Sequence, residues 1–169
     1  EMHYSCAYFT QPDMSLEDAQ HAKSAHIATK LNLQPGQRVL DIGCGWGSLA
    51  MYLASHFDVE VTGLTLSVEQ LRVAEQTAKE RGLEHKVRFV LEDYRKHQDI
   101  YDRVVSVGML EHVGRRSLPK FFACLRDFLS PTGVALVHTT EKRGDEPPAL
   151  APHKACARCA PTRASLLTM

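Results

Sequence analysis

Residues 41–47 read DIGCGWG, so that a glycine stands at every second position from Gly43 to Gly47. An apolar run precedes this segment and an amphipathic run follows it, as expected where a strand turns into a helix. Glycine accepts the backbone conformations of such a sharp turn, and a ligand can lie against the bare backbone at the helix N-terminus. Residues 41–47 are therefore the best candidates for a cofactor-binding loop.

The spacing of the glycines separates two classes of cofactor. Dinucleotide-binding loops follow G-x-G-x-x-G, with a pyrophosphate at the helix N-terminus. Here the third glycine comes one residue earlier, and Asp41 stands two residues before the first. A carboxylate there suits the ammonium group of S-adenosylmethionine (SAM), which carries no phosphate. We predict SAM binding; the alternatives are a NAD-dependent dehydrogenase and a tight turn without a ligand.

The segments around this loop alternate between short apolar runs and amphipathic stretches from about residue 37 to 139, which is typical of β-α-β units. Ser15 and Ser67 stand three residues before Asp18 and Gln70, the spacing of helix N-terminal caps. We predict an α/β, Rossmann-like class I methyltransferase fold with an open, mostly parallel sheet, helices on both faces and the C-terminal strands missing. Strands are predicted at 38–42, 59–64, 87–91, 104–107 and 134–138, and helices at 15–31, 48–57, 67–82 and 118–129, the last stopped by a turn at 130–133.

The last part of the chain differs in character. Residues 141–169 hold four of the eight prolines and show no sustained periodicity, so we expect an irregular, disordered tail after an incomplete domain at 1–140. His153, Cys156 and Cys159 form H-x-x-C-x-x-C, but a structural zinc site needs four ligands. We therefore predict no metal site.

The composition limits the possible partners. Lysine and arginine together number 20, as do aspartate and glutamate, and without a long basic run we expect no nucleic-acid partner. The apolar runs are too short for a transmembrane segment, which needs about 20 residues. Five cysteines do not form a disulfide framework, which favours a reducing cytoplasm. The oligomeric state is not predicted.

Four motifs together indicate a family. The chain contains YSCAYF at 4–9, DIGCGWG at 41–47, TGLTLS at 62–67 and VSVGMLEHVG at 105–114. Over about residues 1–140 it resembles the cyclopropane-fatty-acyl-phospholipid synthases and the related mycolic acid cyclopropane synthases. The resemblance implies a SAM-dependent methyltransferase that acts on unsaturated phospholipid acyl chains at a membrane surface.

The resemblance also implies positions for the cofactor. Its amino-acid end would contact Tyr4, Ser5 and the loop residues Gly43, Cys44 and Gly45. Its ribose would contact Thr65, Leu66 and Gln70. Tyr94 and Arg95 would flank the adenine and Val107 would line it, with Asp93 as the nearby acidic candidate.

The implied reaction transfers a methyl group to a cis double bond and then closes a three-membered ring by loss of a proton. Members of the family hold a bicarbonate ion as the base, and Cys6, Glu111 and His138 match the residues that bind it. Glu111 follows the fourth predicted strand and His138 ends the fifth. Both therefore belong at the carboxyl edge, where open parallel sheets bind ligands.

Two departures from the family bear on activity. The family's His-Thr-Ile after strand five is His138-Thr139-Thr140 here, and its catalytic tyrosine lies beyond the end of this chain. The sequence leaves open an amine N-methyltransferase and an inactive, truncated SAM-binding fragment as alternatives. Arg115 and Arg116 are candidates for contact with lipid phosphate, and Trp46 is expected to pack in the core.

Overall fold

The computed structural model describes residues 5–142 and 162–168. The helices and strands follow the order predicted for β-α-β units, with α1 preceding the sheet. In chain order the elements are α1 (Leu16–Leu31), β1 (Arg38–Ile42), α2 (Ser48–His56), β2 (Glu60–Thr65), α3 (Val68–Glu80), β3 (Val87–Leu91), β4 (Tyr101–Val107), α4 (Leu118–Phe128), β5 (Leu129–Lys142) and β6 (Thr162–Thr168), with short 3-10 turns at Leu110–His112 and Arg115–Ser117.

The described strands form one sheet in the order β3-β2-β1-β4-β5-β6. The first five are parallel, and β6 runs antiparallel to β5. Strand β1 lies between β2 and β4, so the chain crosses to the opposite side of the sheet after β3. Such a switch point opens a crevice at the carboxyl ends of the strands. The α/β fold predicted from the sequence is confirmed.

Side-chain caps begin two of the helices as the sequence predicts. The hydroxyl of Ser15 accepts a hydrogen bond from the Asp18 N–H at 3.1 Å, and that of Ser67 accepts one from the Gln70 N–H at 3.3 Å. Each cap satisfies a backbone donor that has no partner within the helix. The second cap fixes where α3 begins, directly after the carboxyl end of β2.

The last two strands differ from the sequence prediction. Strand β5 begins at Leu129 and runs through the predicted turn at 130–133; its register jumps, because Tyr101 pairs with Leu129 and Arg103 already pairs with Val134. Residues 162–168 form β6 within the segment predicted to be irregular, since they supply hydrogen bonds to the edge of β5 that would otherwise stay unpaired. For 143–161, which lie outside the described residues, irregularity stays a prediction.

Two apolar clusters pack on opposite faces of the sheet. Because side chains alternate along a strand, Val39 joins the cluster with α1, α2 and α3, while Leu40 joins the cluster with α4. Phe121 fills the second cluster and is fully buried. Within the described part of the chain, no helix is both long and apolar enough to pass through a membrane.

A buried arginine attaches the end of α1 to the sheet. Arg103 in β4 donates from Nε to the Leu31 carbonyl at 2.5 Å and from Nη2 to the Asn32 carbonyl at 3.0 Å. These are backbone acceptors at the C-terminal end of α1, where carbonyls lack partners within the helix. The contact fixes α1 against β4 across more than 70 residues of chain.

Close packing against Phe89 explains one glycine of the cofactor loop. Gly47 has a φ of +79°, and a Cβ there would lie 2.8 Å from Cε1 of Phe89 and 3.1 Å from Cβ of Ala74. Gly63 in β2 contacts the same ring, since a Cβ there would lie 2.7 Å from Cδ1 of Phe89. The ring of Phe89 therefore occupies the space that two absent side chains leave.

Replacement of Gly47 by alanine is expected to lower the free energy of unfolding by about 2–4 kcal/mol. The positive φ contributes about 1 kcal/mol, and the overlap with Phe89 contributes about 1–3 kcal/mol. Urea denaturation followed by circular dichroism measures the loss.

Gly45→Ala is the matched control, because Gly45 also has a positive φ, +56°, but a Cβ there would have no atom within 4 Å. It is expected to lose only the backbone contribution of about 1 kcal/mol. Equal losses in the two variants would contradict the role assigned to Phe89.

Candidate cofactor and active site

A cavity of about 180 Å³ opens at the carboxyl ends of β1 and β4, at the switch point of the sheet. It lies where the order of the strands predicts a ligand-binding crevice. The residues that line it come from the N-terminal segment, α1, the glycine loop, the start of α2 and the segment after β4: Ser5, Lys23, Asp41, Gly43, Cys44, Trp46, Ser48, Leu49, Val107, Gly108, Met109 and His112.

Backbone hydrogen bonds fix the glycine loop against β2. The N–H groups of Gly43 and Cys44 both donate to the Leu64 carbonyl, at 3.0 and 2.9 Å, and the Gly47 N–H donates to the Cys44 carbonyl at 2.9 Å. Gly43 has a φ of +78°, and a Cβ there would lie 2.9 Å from Cγ of Met109. The loop and Met109 thus pack directly against each other at the cavity, and a side chain at position 43 would not fit between them.

The carboxylate of Asp41 lies at the buried end of this cavity. Asp41 is 2% exposed. Burial raises its pKa to about 7, and the positive charge of Lys23 opposes that rise. Burial and the nearby Asp41 carboxylate also raise the pKa of the Cys44 thiol far above its usual range, so this thiol stays protonated and unreactive.

Lys23 of α1 brings a cation to the same place. Its side chain is buried, which lowers its pKa to about 8, while Asp41 acts in the opposite direction. Its Nζ donates to the Ser5 hydroxyl at 2.7 Å and to Oε1 of Gln20 at 2.6 Å. Lys23 therefore attaches the N-terminal segment to α1 at the wall of the cavity.

Polar side chains at the end of β2 bind one another. The buried Thr65 hydroxyl donates to Oε1 of Gln70 at 2.9 Å and accepts from the Ser67 N–H at 3.1 Å. Leu66 between them is 74% exposed. This turn therefore presents a polar pair and an apolar side chain beside the glycine loop.

The segment after β3 carries the side chains predicted to flank an adenine ring. The ring of Tyr94 packs edge-on against Phe121, with centroids 5.5 Å apart. Arg95 donates from Nε to both carboxylate oxygens of Asp93, at 2.9 and 3.0 Å, which holds the pKa of Asp93 below its usual value. Arg95 is largely exposed, so this ion pair lies at the surface.

His138 in β5 pairs with Val107, the last residue of β4, and Glu111 follows β4 on the turn at Leu110–His112. Strand β5 continues to Lys142, so the prediction that His138 ends it was wrong. His138 is 7% exposed, and its Nδ1 is buried without a hydrogen-bond partner among the described residues. Burial, and then the charge of Lys23, lowers its pKa, so the imidazole is neutral at neutral pH. Oε1 of Glu111 accepts hydrogen bonds from the Thr140 N–H at 2.6 Å and the Thr140 hydroxyl at 2.9 Å.

These contacts set the charge of Glu111. Its partial burial favours the neutral acid, but the hydrogen bonds from Thr140 and Thr139 outweigh that effect and lower the pKa of Glu111. Glu111 is therefore a carboxylate at neutral pH. The hydroxyl of Thr140 is one of the donors that hold it.

The structure brings part of the predicted site together around one cavity. Ser5, Asp41, Gly43, Cys44 and Val107 line it. The other predicted residues that the structure describes do not line it; they lie on the loop, beside Ser5, or at neighbouring strand ends: Cys6, Gly45, Thr65, Leu66, Gln70, Tyr94, Arg95, Glu111 and His138. Tyr4 lies outside the described residues.

Sequence reasoning missed several lining residues. Lys23 and His112 were not singled out, and Trp46, which was expected to pack in the core, lines the cavity. Trp46 stands between two glycines of the predicted cofactor loop, so the motif itself could have indicated that its side chain lies at the cavity. The described residues contain no cluster of histidine, cysteine or carboxylate side chains suited to a metal ion, and the H-x-x-C-x-x-C segment at 153–159 lies outside them.

Comparison with known proteins adds independent evidence. The chain is 51% identical over 138 residues to the cyclopropane-fatty-acyl-phospholipid synthase of Escherichia coli K12, which covers 82% of this chain and 35% of that protein. It is 42% identical over 136 residues to the cyclopropane mycolic acid synthase MmaA2 of Mycobacterium tuberculosis, covering 80% of this chain and 47% of the relative. The chain thus spans between a third and a half of the length of these relatives.

Solved structures agree with the sequence relatives. The mycolic acid cyclopropane synthase CmaA1 complexed with S-adenosylhomocysteine (SAH) and CTAB superposes with a TM-score of 0.78 at 40% identity, over 82% of this chain and 48% of that one. A coclaurine N-methyltransferase bound to SAH and N-methylheliamine superposes with a TM-score of 0.76 at 28% identity, over 81% of this chain and 40% of that one. The family described as mycolic acid cyclopropane synthetase matches residues 1–151, and the chain therefore belongs to this family of SAM-dependent enzymes.

Proposed function

We propose that the chain binds SAM in the cavity at the switch point and forms part of an enzyme that converts a cis double bond of a phospholipid acyl chain into a cyclopropane ring. One observation carries this proposal. The cavity combines the glycine loop and the buried Asp41 carboxylate at the end of the sheet where His138 and Glu111 also lie. The 51% identity to a cyclopropane-fatty-acyl-phospholipid synthase supports the substrate class.

The geometry supports one orientation of SAM. Its amino-acid end occupies the cavity, where the Asp41 carboxylate faces the ammonium group and the loop residues Gly43 and Cys44 form part of the lining. Its ribose lies over the turn that holds Thr65, Leu66 and Gln70. The adenine lies between Val107 and the segment with Tyr94 and Arg95. Tyr4 completes the amino-acid end in this proposal, next to Ser5 in the chain.

The proposed reaction moves two electron pairs in turn. The π electrons of the double bond form a bond to the methyl carbon while its bond to sulfur breaks, which releases SAH and leaves a carbocation. A base then removes a proton from the new methyl group, and the C–H electrons close the ring. Fixed negative charge near the cation lowers the barrier, and Glu111 is a carboxylate at neutral pH.

The side chains also fit a small anion as the base. Bicarbonate, when bound, would accept the proton that leaves the methyl group. The unpartnered Nδ1 of His138 is a buried polar atom that needs a hydrogen-bond partner, as a bound oxyanion would provide. Glu111 and Cys6 are the further residues that we assign to this anion, Cys6 through its backbone because its sulfur is in a disulfide bond. The Thr140 hydrogen bonds hold Glu111 in place.

The substrate would reach the site from a membrane surface, with the protein in the cytoplasm. Arg115 and Arg116 are exposed on the turn that follows Glu111, where their charges can contact lipid phosphate. The likeness to coclaurine N-methyltransferase at 28% identity favours a small amine less strongly than the 51% identity favours a phospholipid. A test of the reaction must therefore distinguish a phospholipid substrate from a small amine.

Incubation of the 169-residue chain with methyl-labelled SAM and vesicles of unsaturated phospholipid tests the proposed reaction. The expected result is labelled lipid with a cyclopropane ring, identified by mass spectrometry, and none with saturated lipid. Glu111→Gln removes the negative charge but keeps the shape, and it is expected to lower the rate about 100-fold.

Lys120→Gln is the matched charge control, because Lys120 is exposed at the start of α4 and takes no part in the proposed site. Its rate should equal that of the unchanged chain. If the chain transfers label to members of a panel of amines but not to lipid, the substrate is an amine and not a phospholipid. Transfer to neither would refute the proposed activity of this chain.

The affinity for SAH is expected to rise with pH because the ammonium group binds the ionised form of Asp41. The pKa of Asp41 is about 7, above its ordinary value, so the protonated acid prevails below pH 7 and the carboxylate above it. Between pH 6 and 7.5 the affinity should increase about eightfold. Isothermal titration calorimetry in buffers of different ionisation enthalpy should also show that protons are released on binding at pH 6.

Asp41→Asn is the control for this pH dependence. It should bind SAH weakly, with an affinity that stays constant over the same interval. The pKa of His138 is lowered by burial, so this group titrates below Asp41, and Lys23 is still largely charged in that interval; neither is expected to produce the same rise. An affinity of the unchanged chain that does not depend on pH would contradict the role of Asp41.

A further inference from the structure

The buried cation of α1 has no role among the residues assigned to SAM or to the anion. Lys23 is 5% exposed and lines the same cavity as Asp41. Transfer of an ammonium group from water to a protein interior costs several kcal/mol, which is why lysine is rarely buried to this extent without a role. The four motifs that indicate the family do not include Lys23.

Hydrogen bonds hold the ammonium group of Lys23 at the cavity wall. Its Nζ donates to the Ser5 hydroxyl at 2.7 Å and to Oε1 of Gln20 at 2.6 Å. Both acceptors are uncharged oxygens, so these bonds orient the group without neutralising it. Ser5 itself lines the cavity, which places the charged end of Lys23 on the cavity side of α1.

The cavity therefore carries two opposite charges on different walls. Asp41 comes from β1, and Lys23 comes from α1. Their charges affect each other, since Lys23 stabilises the Asp41 carboxylate and Asp41 stabilises the Lys23 ammonium. A ligand that bears an ammonium and a carboxylate on one carbon matches this pair of charges, group for group.

We propose that Lys23 binds the α-carboxylate of the cofactor's amino-acid end while Asp41 binds the α-ammonium. This assignment rests on the proposed SAM binding and adds a residue that selects among adenosine thioethers. Ligands that keep the amine but lack the carboxylate bind more weakly, because they lose the charge-assisted hydrogen bond to the Lys23 ammonium. Charge-assisted hydrogen bonds of this kind are about twice as strong as neutral ones.

Lys23 also acts on the other side of the site. Its charge is the second largest cause of the lowered pKa of His138, after burial. The same buried ammonium that lines the cavity thus adds to the effect of burial, which is the larger cause of the lowered pKa of His138. A neutral imidazole presents one donor and one acceptor nitrogen, which suits a ring that orients a small anion.

Calorimetric titration of the 169-residue chain with two ligands tests the proposal. The ligands are SAH and S-adenosyl-3-thiopropylamine, which is SAH without its carboxylate. The unchanged chain should prefer SAH. Lys23→Met should weaken SAH binding about tenfold to a hundredfold, which corresponds to one charge-assisted hydrogen bond, and change binding of the amine by less than about twofold.

Two further variants keep the result interpretable. Lys30→Met makes the same change at an exposed position of the same helix and should bind both ligands as the unchanged chain does. Lys23→Arg retains the charge and should retain most of the preference for SAH. If Lys23→Met does not fold, the assignment of Lys23 is tested by whether the unchanged chain and Lys23→Arg both bind SAH more tightly than the amine.

Each outcome has a separate meaning. Failure of the unchanged chain to bind SAH refutes the proposed function itself. SAH binding with no preference over the amine overturns only the assignment of Lys23. So does a parallel loss of both ligands in Lys23→Met, because a structural lysine would affect them alike.

Discussion

A carboxylate and an ammonium group share the water-poor end of a parallel sheet, and the site depends on keeping both charges there. Strand pairing fixes the first, because the backbone of Asp41 lies between Gly63 of β2 and Val105 of β4. Helix α1 fixes the second, through the hydrogen bonds that orient Lys23. Burial disfavours either charge alone, which is why each pKa moves toward neutrality and each charge supports the other. The fold holds an arrangement that is unfavourable by itself and becomes favourable with a ligand of complementary charge.

Side-chain volume is distributed to make room for this arrangement. Phe89 fills the space beside Gly47 and Gly63, so that α2 and the loop approach β2 closely. On the cavity side, Met109 occupies the position that a side chain at Gly43 would need. The glycines of the loop therefore meet different requirements. A side chain at Gly43 or Gly47 would overlap a neighbouring side chain, whereas Gly45 is required only for the positive φ of the turn.

Local patterns were sufficient to predict much of the fold from the sequence. The helix caps at Ser15 and Ser67 depend only on residues three positions away. The short apolar runs of β1 and β3 predict strands of a buried parallel sheet. Lys23 could not be found this way, since a lysine on an amphipathic helix is normally solvated and only the packing of α1 over the cavity buries it. The path of β5 through 130–133 and the pairing of β6 also depend on partners distant in sequence, which override a local turn signal.

Arg103 has a consequence for the order in which the site assembles. It joins β4 to the end of α1 through contacts that span more than 70 residues, so the hydrogen bonds that hold the end of this helix can form only once β4 is in place. Contacts of such long sequence separation form late, because chain entropy must be lost before they are made. During synthesis, α1 is therefore made well before β4, the strand whose Arg103 holds its end in place. The glycine loop is held by β2, which lies close to it in the sequence, whereas the end of α1 is held by a strand that lies far from it in the sequence.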